Sequence, residues 1–210
     1  MTLRQHAQGV FGWSRFQPER GYDFNGTALV CDDTVLLVDP VRASESETSA
    51  LRRLGREHRI VLLNADHERE AATFHRELHA PVFIARADRE ALKLSSAQPL
   101  DDGAALPGGW TFLTLTGLKT PGESALFHPT RRLCVVGDAI IADPLTGLRL
   151  VPPAKLGDRR AALAGLARLT TLDFDGLLVG DGFHLPSGGR AALTRFVARE
   201  LSLLDGKEHA

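Results

Sequence analysis

Apolar residues along the chain gather in short runs divided by charged or turn-forming stretches, a pattern that predicts buried strands alternating with helices. TALVC and TVLLVDP flank Asp32 and Asp33, two turn formers between β-rich runs, and predict a hairpin whose second strand ends at Asp39-Pro40. ASESETSALRRLGREH then carries Ser and Glu early and Arg and His late, the charge order that suits a helix dipole, before RIVLLNA returns to a buried strand. HEREAATFHRELH reads as a helix, PVFIA as a strand and DREALKL as a further short helix before the turn-rich DDGAALPGG.

WTFLTLT, SALFH and RLCVVGD follow with no helical pattern between them, which predicts antiparallel strands. DRRAALAGLARLTTL reads as a helix, GLLVGDG as a buried strand, and GGRAALTRFVARELSLL as a long amphipathic closing helix. PERGYDFNGT, with Arg20, Tyr22 and Asn25, reads as a loop without firm chemistry. Two strand-rich halves that each carry helices predict an α/β sandwich, two sheets face to face with helices outside, in one domain spanning 1–210.

Composition narrows the function. The 210 residues are 43% hydrophobic, enough for one substantial core. The 25 Lys and Arg against 26 Asp and Glu include no basic block of the kind that grips nucleic acid, so nucleic acid is not expected as a partner. No run approaches a membrane span and MTLRQHAQGVFGW lacks the apolar core of a signal peptide, so the expected location is the cytoplasm. Cys31 and Cys134 each sit in an apolar run and read as buried thiols. Nothing bears on the oligomeric state.

Four polar clusters each follow an apolar strand: Asn64 to Glu70, Thr120 to Glu123, Gly137-Asp138 and Gly180-Asp181-Gly182. Strand ends fix a backbone while the loop beyond exposes side chains, so these are the places for chemistry. The order VLLVDP, VLLNADHERE, LKTPGESAL, RLCVVGDAI and LLVGDGFHL resembles the metallo-β-lactamase superfamily of metal-dependent hydrolases, from about residue 25 onward. The resemblance implies a four-layer αβ/βα sandwich and a metal site for hydrolysis.

At that site the sequence departs from the family. The Thr-His-x-His-x-Asp-His motif falls on Asn64, Ala65, Asp66, His67, Glu68, Arg69 and Glu70, where only His67 keeps its ligand type. The histidine of Thr-Pro-Gly-His falls on Glu123, the bridging aspartate is Asp138, and the last histidine falls on Asp181 or, with a shifted loop, His184. Ala65 supplies no ligand, and the Arg69 guanidinium has no acceptor for a metal. Two arrangements would neutralise the clustered carboxylates. His67, Glu123, Asp138 and Asp181 hold one divalent ion (Mn, Fe, Mg or Zn) and hydrolyse a small ester, lactone or phosphoester. Alternatively Arg69, with Lys119 and protonated His67, forms a metal-free network that binds a small anionic ligand or is purely structural.

Asn64, Asp66, Glu70 and His184 are further candidates for the pocket and its charge network. Simpler roles stand beside these: Asp66 or Asn64 caps the helix starting near His67, Glu70 is a solvated helix residue, His184 is an exposed loop histidine, Asp39 is a turn residue or an indirect support, and His75, His79 and His128 lie at the surface.

Overall fold

The computed structural model describes residues 3–207. The first sheet holds, in spatial order, β1 (Arg4–Ala7), β2 (Val10–Gln17), β3 (Tyr22–Cys31), β4 (Thr34–Val38), β5 (Glu57–Leu62), β6 (Val82–Ala85) and β7 (Gln98–Leu100). The second holds β8 (Ala105–Leu106), β9 (Trp110–Thr114), β10 (Ser124–His128) and β11 (Leu133–Val136), with β14 (Gly176–Val179) beyond β11; β12 (Ile141–Asp143) and β13 (Gly147–Arg149) form a separate hairpin. The helices are α1 (Glu45–Arg53), α2 (Ala71–Leu78), α3 (Arg159–Thr170) and α4 (Gly189–Lys207).

The strands read as continuous apolar runs because both of their faces are covered. In β4 and β5, Val35, Leu37, Ile60 and Leu62 pack with Leu51 of α1 and with Ala71 and Phe74 of α2. The alternate residues Leu36, Val38, Val61 and the following Leu63 pack with Phe112, Leu126, Val135 and Leu178 of the other sheet. On that sheet's far face Cys134, Val136, Leu177 and Val179 meet Leu163, Leu166 and Leu169 of α3 and Leu193 and Phe196 of α4. Helix, sheet, sheet and helix are thus stacked in four layers, the αβ/βα sandwich. Each fully buried Leu or Ile contributes about 1.5–3 kcal/mol relative to exposure. Among the described residues no helix is long and apolar enough to cross a membrane.

Pairing directions bring the site's strand ends together. β4, β5, β6 and β7 run parallel to one another, and so do β11 and β14, so their carboxyl ends share edges of their sheets.

Three local expectations change. The helix expected from His67 is broken: Ala65–Glu68 form a 3-10 turn, Arg69 has φ 31 and ψ −111, and α2 starts only at Ala71. A positive φ is outside the helical region, so the chain turns sharply there and separates the Arg69 side chain from the helix face. Arg86–Ala91 is likewise a 3-10 turn rather than an α-helix. The segment containing Tyr22 and Asn25 is strand, the start of β3, registered along its whole length with β2.

Candidate functional site

Loops leaving β4, β5, β11 and β14 meet in one charged cluster. After β4, Asp39 adopts φ 47 and accepts two hydrogen bonds, from Leu63 N at 2.8 Å and from His67 Nδ1 at 2.7 Å. After β5, Asn64 caps the 3-10 turn: its Oδ1 accepts from His67 N at 3.0 Å while its Nδ2 donates to Glu123 Oε1 at 3.2 Å. Of the two cap candidates in the sequence the cap is therefore Asn64, whereas Asp66 is exposed and pairs with Lys119.

His67 lies between two acids, since its Nε2 donates to Asp138 Oδ1 at 3.1 Å. Burial and the charge of Arg69 pull its pKa down, but Asp39 and Asp138 outweigh them and push it to about 10. Arg69 Nη2 donates to Asp181 Oδ1 at 2.9 Å and also lies 2.8 Å from His67 Nε2. An imidazolium has no lone pair there, so this is a close approach of two donors, each aimed at a different carboxylate. The guanidinium also stacks on Phe24, 4.3 Å from the ring centroid. Lys119 bridges Asp138 and Asp66.

The carboxyl groups divide by environment. Burial raises the Asp138 pKa, but His67 and Lys119 more than reverse it and hold the group well below the usual carboxylate range. Asp181 is raised, by burial and then by the charge of Asp138, against the pull of Arg69. Glu123 is fully buried and raised well above its ordinary value, by burial first and by Asp138 second. The cluster thus gathers His67, Arg69 and Lys119 among Asp39, Asp66, Asp138, Asp181 and Glu123, with burial and Asp138 shifting the Glu123 carboxyl towards its protonated form.

Glycines make room for this packing. A Cβ on Gly180 would lie 2.9 Å from His67 Cε1, and one on Gly137 would lie 2.9 Å from both Asn64 Nδ2 and Glu123 Oε1. Above the cluster opens a cleft of about 270 Å³, with Arg69, Lys119, Asp138 and Asp181 in its lining and Arg20 and Lys155 at its rim. Neither Arg20 nor Lys155 has an acid partner within 4 Å among the described residues.

A metal would find a poor donor set. His67, Asp138 and Asp181 do offer ligand atoms within 4.8 Å of one another. Yet a guanidinium holds Asp181 and crowds His67 Nε2, and an ammonium holds Asp138. Ala65 contributes nothing, and Glu123 is outside that trio. Three cations already in contact with these acids oppose the entry of a further two positive charges unless Arg69 or Lys119 leaves. The residues present do not fit a resident divalent ion.

Of the other residues singled out by sequence, Glu70 is not part of the cleft lining. His184 lies elsewhere: its Nδ1 accepts from Val179 N at 3.1 Å, its ring meets His6 edge-on at 4.4 Å, and burial followed by His6 and Arg4 lowers its pKa to about 3. His128, expected at the surface, is buried and donates from Nε2 to Gly108 O at 2.8 Å.

Sequence reasoning missed two organisers. Asn25 Nδ2 donates to Val179 O at 3.0 Å and Gly182 O at 2.8 Å, pinning the loop that carries Asp181 to β3. Asp88 accepts from Ala65 N at 2.9 Å, Thr120 Oγ1 at 2.6 Å and Gly122 N at 2.7 Å, and so clamps two site loops together. In sequence Asp88 is one more acid in a charged helical stretch. Its signal, three donors, exists only in three dimensions. Asp88→Ala should lower stability by about 2–4 kcal/mol, because three donors lose one buried acceptor. Urea denaturation measures it, and a loss within about 0.5 kcal/mol would remove the clamp from the account.

A four-layer αβ/βα sandwich with a polar cluster at its strand ends is the architecture of the metallo-β-lactamase fold. The chain belongs to the metallo-β-lactamase superfamily, whose family model matches residues 3–200. Among solved structures it is similar to the DIM-1 metallo-β-lactamase, at 13% identity and TM-score 0.72 over 93% of this chain and 94% of that one. It is also similar to VMB-1, at 11% identity and TM-score 0.77 over 96% and 97%. A flavoprotein from Thermotoga maritima aligns at 14% identity and TM-score 0.68, over 90% of this chain and 57% of that one. At such identities the likeness concerns the fold alone. No curated protein matches the chain.

Proposed function

We propose that this metallo-β-lactamase-fold protein does not carry out metal-dependent hydrolysis and that its cleft is a metal-free pocket for a small anionic ligand. The observation that carries the reading is the Arg69 guanidinium, 2.9 Å from Asp181 and 2.8 Å from His67 Nε2. It takes the position from which an ion would have to bind both. Guanidinium and ammonium provide the neutralising charge that a metal provides elsewhere, and the guanidinium provides it permanently.

Three features favour an anion. Arg69 Nη1 is buried without a hydrogen-bond partner, leaving part of the guanidinium's donor capacity unsatisfied in the cleft wall. Arg20 and Lys155 add unpaired positive charge at the rim. Tyr22, Ile141 and Val151 give the same cleft apolar walls, which suits a ligand with a small hydrocarbon part.

The competing reading, a single-metal hydrolase, rests on the 4.8 Å grouping of His67, Asp138 and Asp181. Elemental analysis after separate loading with Zn, Mn and Fe and dialysis decides between them. The metal-free pocket predicts far less than one equivalent retained in each case; a stoichiometric ion lost in Asp138→Ala would establish the hydrolase reading instead. Phosphate and succinate should raise the melting temperature saturably. The effect should weaken several-fold in Arg20→Ala and in Lys155→Ala and fade as ionic strength rises. An equal response in the double variant would remove the rim from the site.

A further inference from the structure

A second cavity system lies on the other side of the β12–β13 hairpin. Two adjoining hollows of about 660 and 500 Å³ share Leu148, Phe196 and Arg199, so they form one groove between the hairpin and α4. Apart from Val151 and Pro152, which also face the charged cleft, the lining is separate from the site above. The floor is apolar, with Leu148 8% and Phe196 6% exposed. At one edge Phe183 is 54% exposed, and Leu145 at the hairpin tip is 93% exposed between two lining residues. These are two of the four large apolar side chains left exposed among the described residues, and an apolar concentration of that kind marks a binding surface more often than chance.

The charge of the groove is one-sided. Arg149, Arg159, Arg195 and Arg199 line it against two acids, Asp143 and Glu200. Glu200 is already bonded by Arg159 and Arg199, and Asp143 accepts from Leu145 N at 2.8 Å and Thr146 N at 2.9 Å in its own turn. Arg195 is left with no acid partner among the described residues. An apolar channel with an unspent guanidinium beside it is complementary to a long apolar body ending in one negative charge. The outer wall is the β12–β13 hairpin, two strands paired with each other, tied to the body by Phe183 N donating to Ala142 O at 2.8 Å and Ala142 N donating to Asp181 O at 3.3 Å, and seated by Ala142 and Leu148 in the core shared with α3 and α4.

We propose that this groove binds a linear alkyl carboxylate, the hydrocarbon lying on Leu148 and Phe196 and the carboxylate meeting Arg195. Calorimetric titration of the full chain with dodecanoate, octanoate and dodecyltrimethylammonium, each kept below its micelle concentration, tests it. Dodecanoate binds saturably, octanoate about two orders of magnitude more weakly because each buried methylene is worth about fourfold, and the ammonium analogue at least about tenfold more weakly. Arg195→Glu and Phe183→Ser, both at exposed positions, each lower dodecanoate affinity about tenfold or more, whereas Arg53→Ala, exposed on α1 and outside both the groove and the charged cleft, leaves it unchanged. Equal binding of the two head groups, or wild-type affinity in both groove variants, overturns the proposal. So does self-association that Phe183→Ser disperses without any dodecanoate binding, which would give the face to a second copy of the chain.

Discussion

Arg69→Met is expected to cost about 3–5 kcal/mol of folding stability, the loss typical of removing one partner from a buried ion pair. Asp181 then keeps a buried charge with no counter-ion, while Met fills much of the volume of the lost side chain. Asp181→Asn in the same chain should recover a large part of the loss, since both charges are then gone, and a double-mutant cycle measures the coupling. The companion experiment returns the family's ligand types. In the triple variant Ala65→His, Arg69→Asp, Glu123→His the metal-free protein should be still less stable, and zinc should restore it with a dissociation constant below about a micromolar. The wild-type chain should be indifferent to zinc at the same concentration. Equal stabilisation of wild type and triple variant by zinc would mean that Arg69 does not stand in for an ion.

Raising the pH should weaken the fold steeply. His67 has a folded-state pKa near 10 against an ordinary 6.5, so its contribution is fully present below about pH 6.5 and is lost as pH climbs towards 10. Each tenfold in proton affinity is worth about 1.4 kcal/mol, which makes the total loss of the order of several kcal/mol. Glu123 adds to the same trend, because its raised pKa keeps it protonated when the unfolded chain would already have ionised it. Asp138, depressed by His67 and Lys119, acts in the opposite direction: its contribution is present above the ordinary aspartate range and disappears on acidification below it. Denaturant unfolding from pH 5 to 10 should therefore show a maximum on the acid side of neutrality. His67→Gln should flatten the alkaline limb, and Glu123→Gln should raise stability at pH 7 and above. An alkaline limb of unchanged slope in His67→Gln would contradict the charge assignment.

The rim variants and the Asp88 clamp probe smaller effects, but they address what holds the site open. Asp88 contacts neither His67 nor Arg69; it fixes the backbone of the two loops that position Asn64 and Glu123. Arg20 comes from the β2–β3 connection and Lys155 from a 3-10 turn, so the cleft depends on segments far apart in the chain.

Much of the architecture was legible in the sequence because burial on two faces leaves a local record. VLLV, IVLL, LCVV and LLVG are unbroken apolar runs, and such runs of strand length bounded by polar turns belong to sheets covered on both sides. The site was legible as a set of positions after those runs, together with the loss of all but one imidazole. The break at Arg69 was not legible, because an arginine with φ 31 carries no propensity signal and is held there by the contacts its side chain makes. The strand at Tyr22–Asn25 was hidden by turn-forming neighbours, and its pairing with β2 overrode them.

By itself the sequence determined the layered α/β class, the order of the strands that carry polar ends, and the replacement of the metal motif by Ala65, Arg69 and Glu123. These follow from residue type and periodicity, which are properties of short stretches. Only the tertiary structure decided which cation meets which acid: Arg69 with Asp181, Lys119 with Asp138, and His67 between Asp39 and Asp138. Such pairings join residues up to 112 positions apart, and charge interaction depends on separations in space that no local pattern encodes.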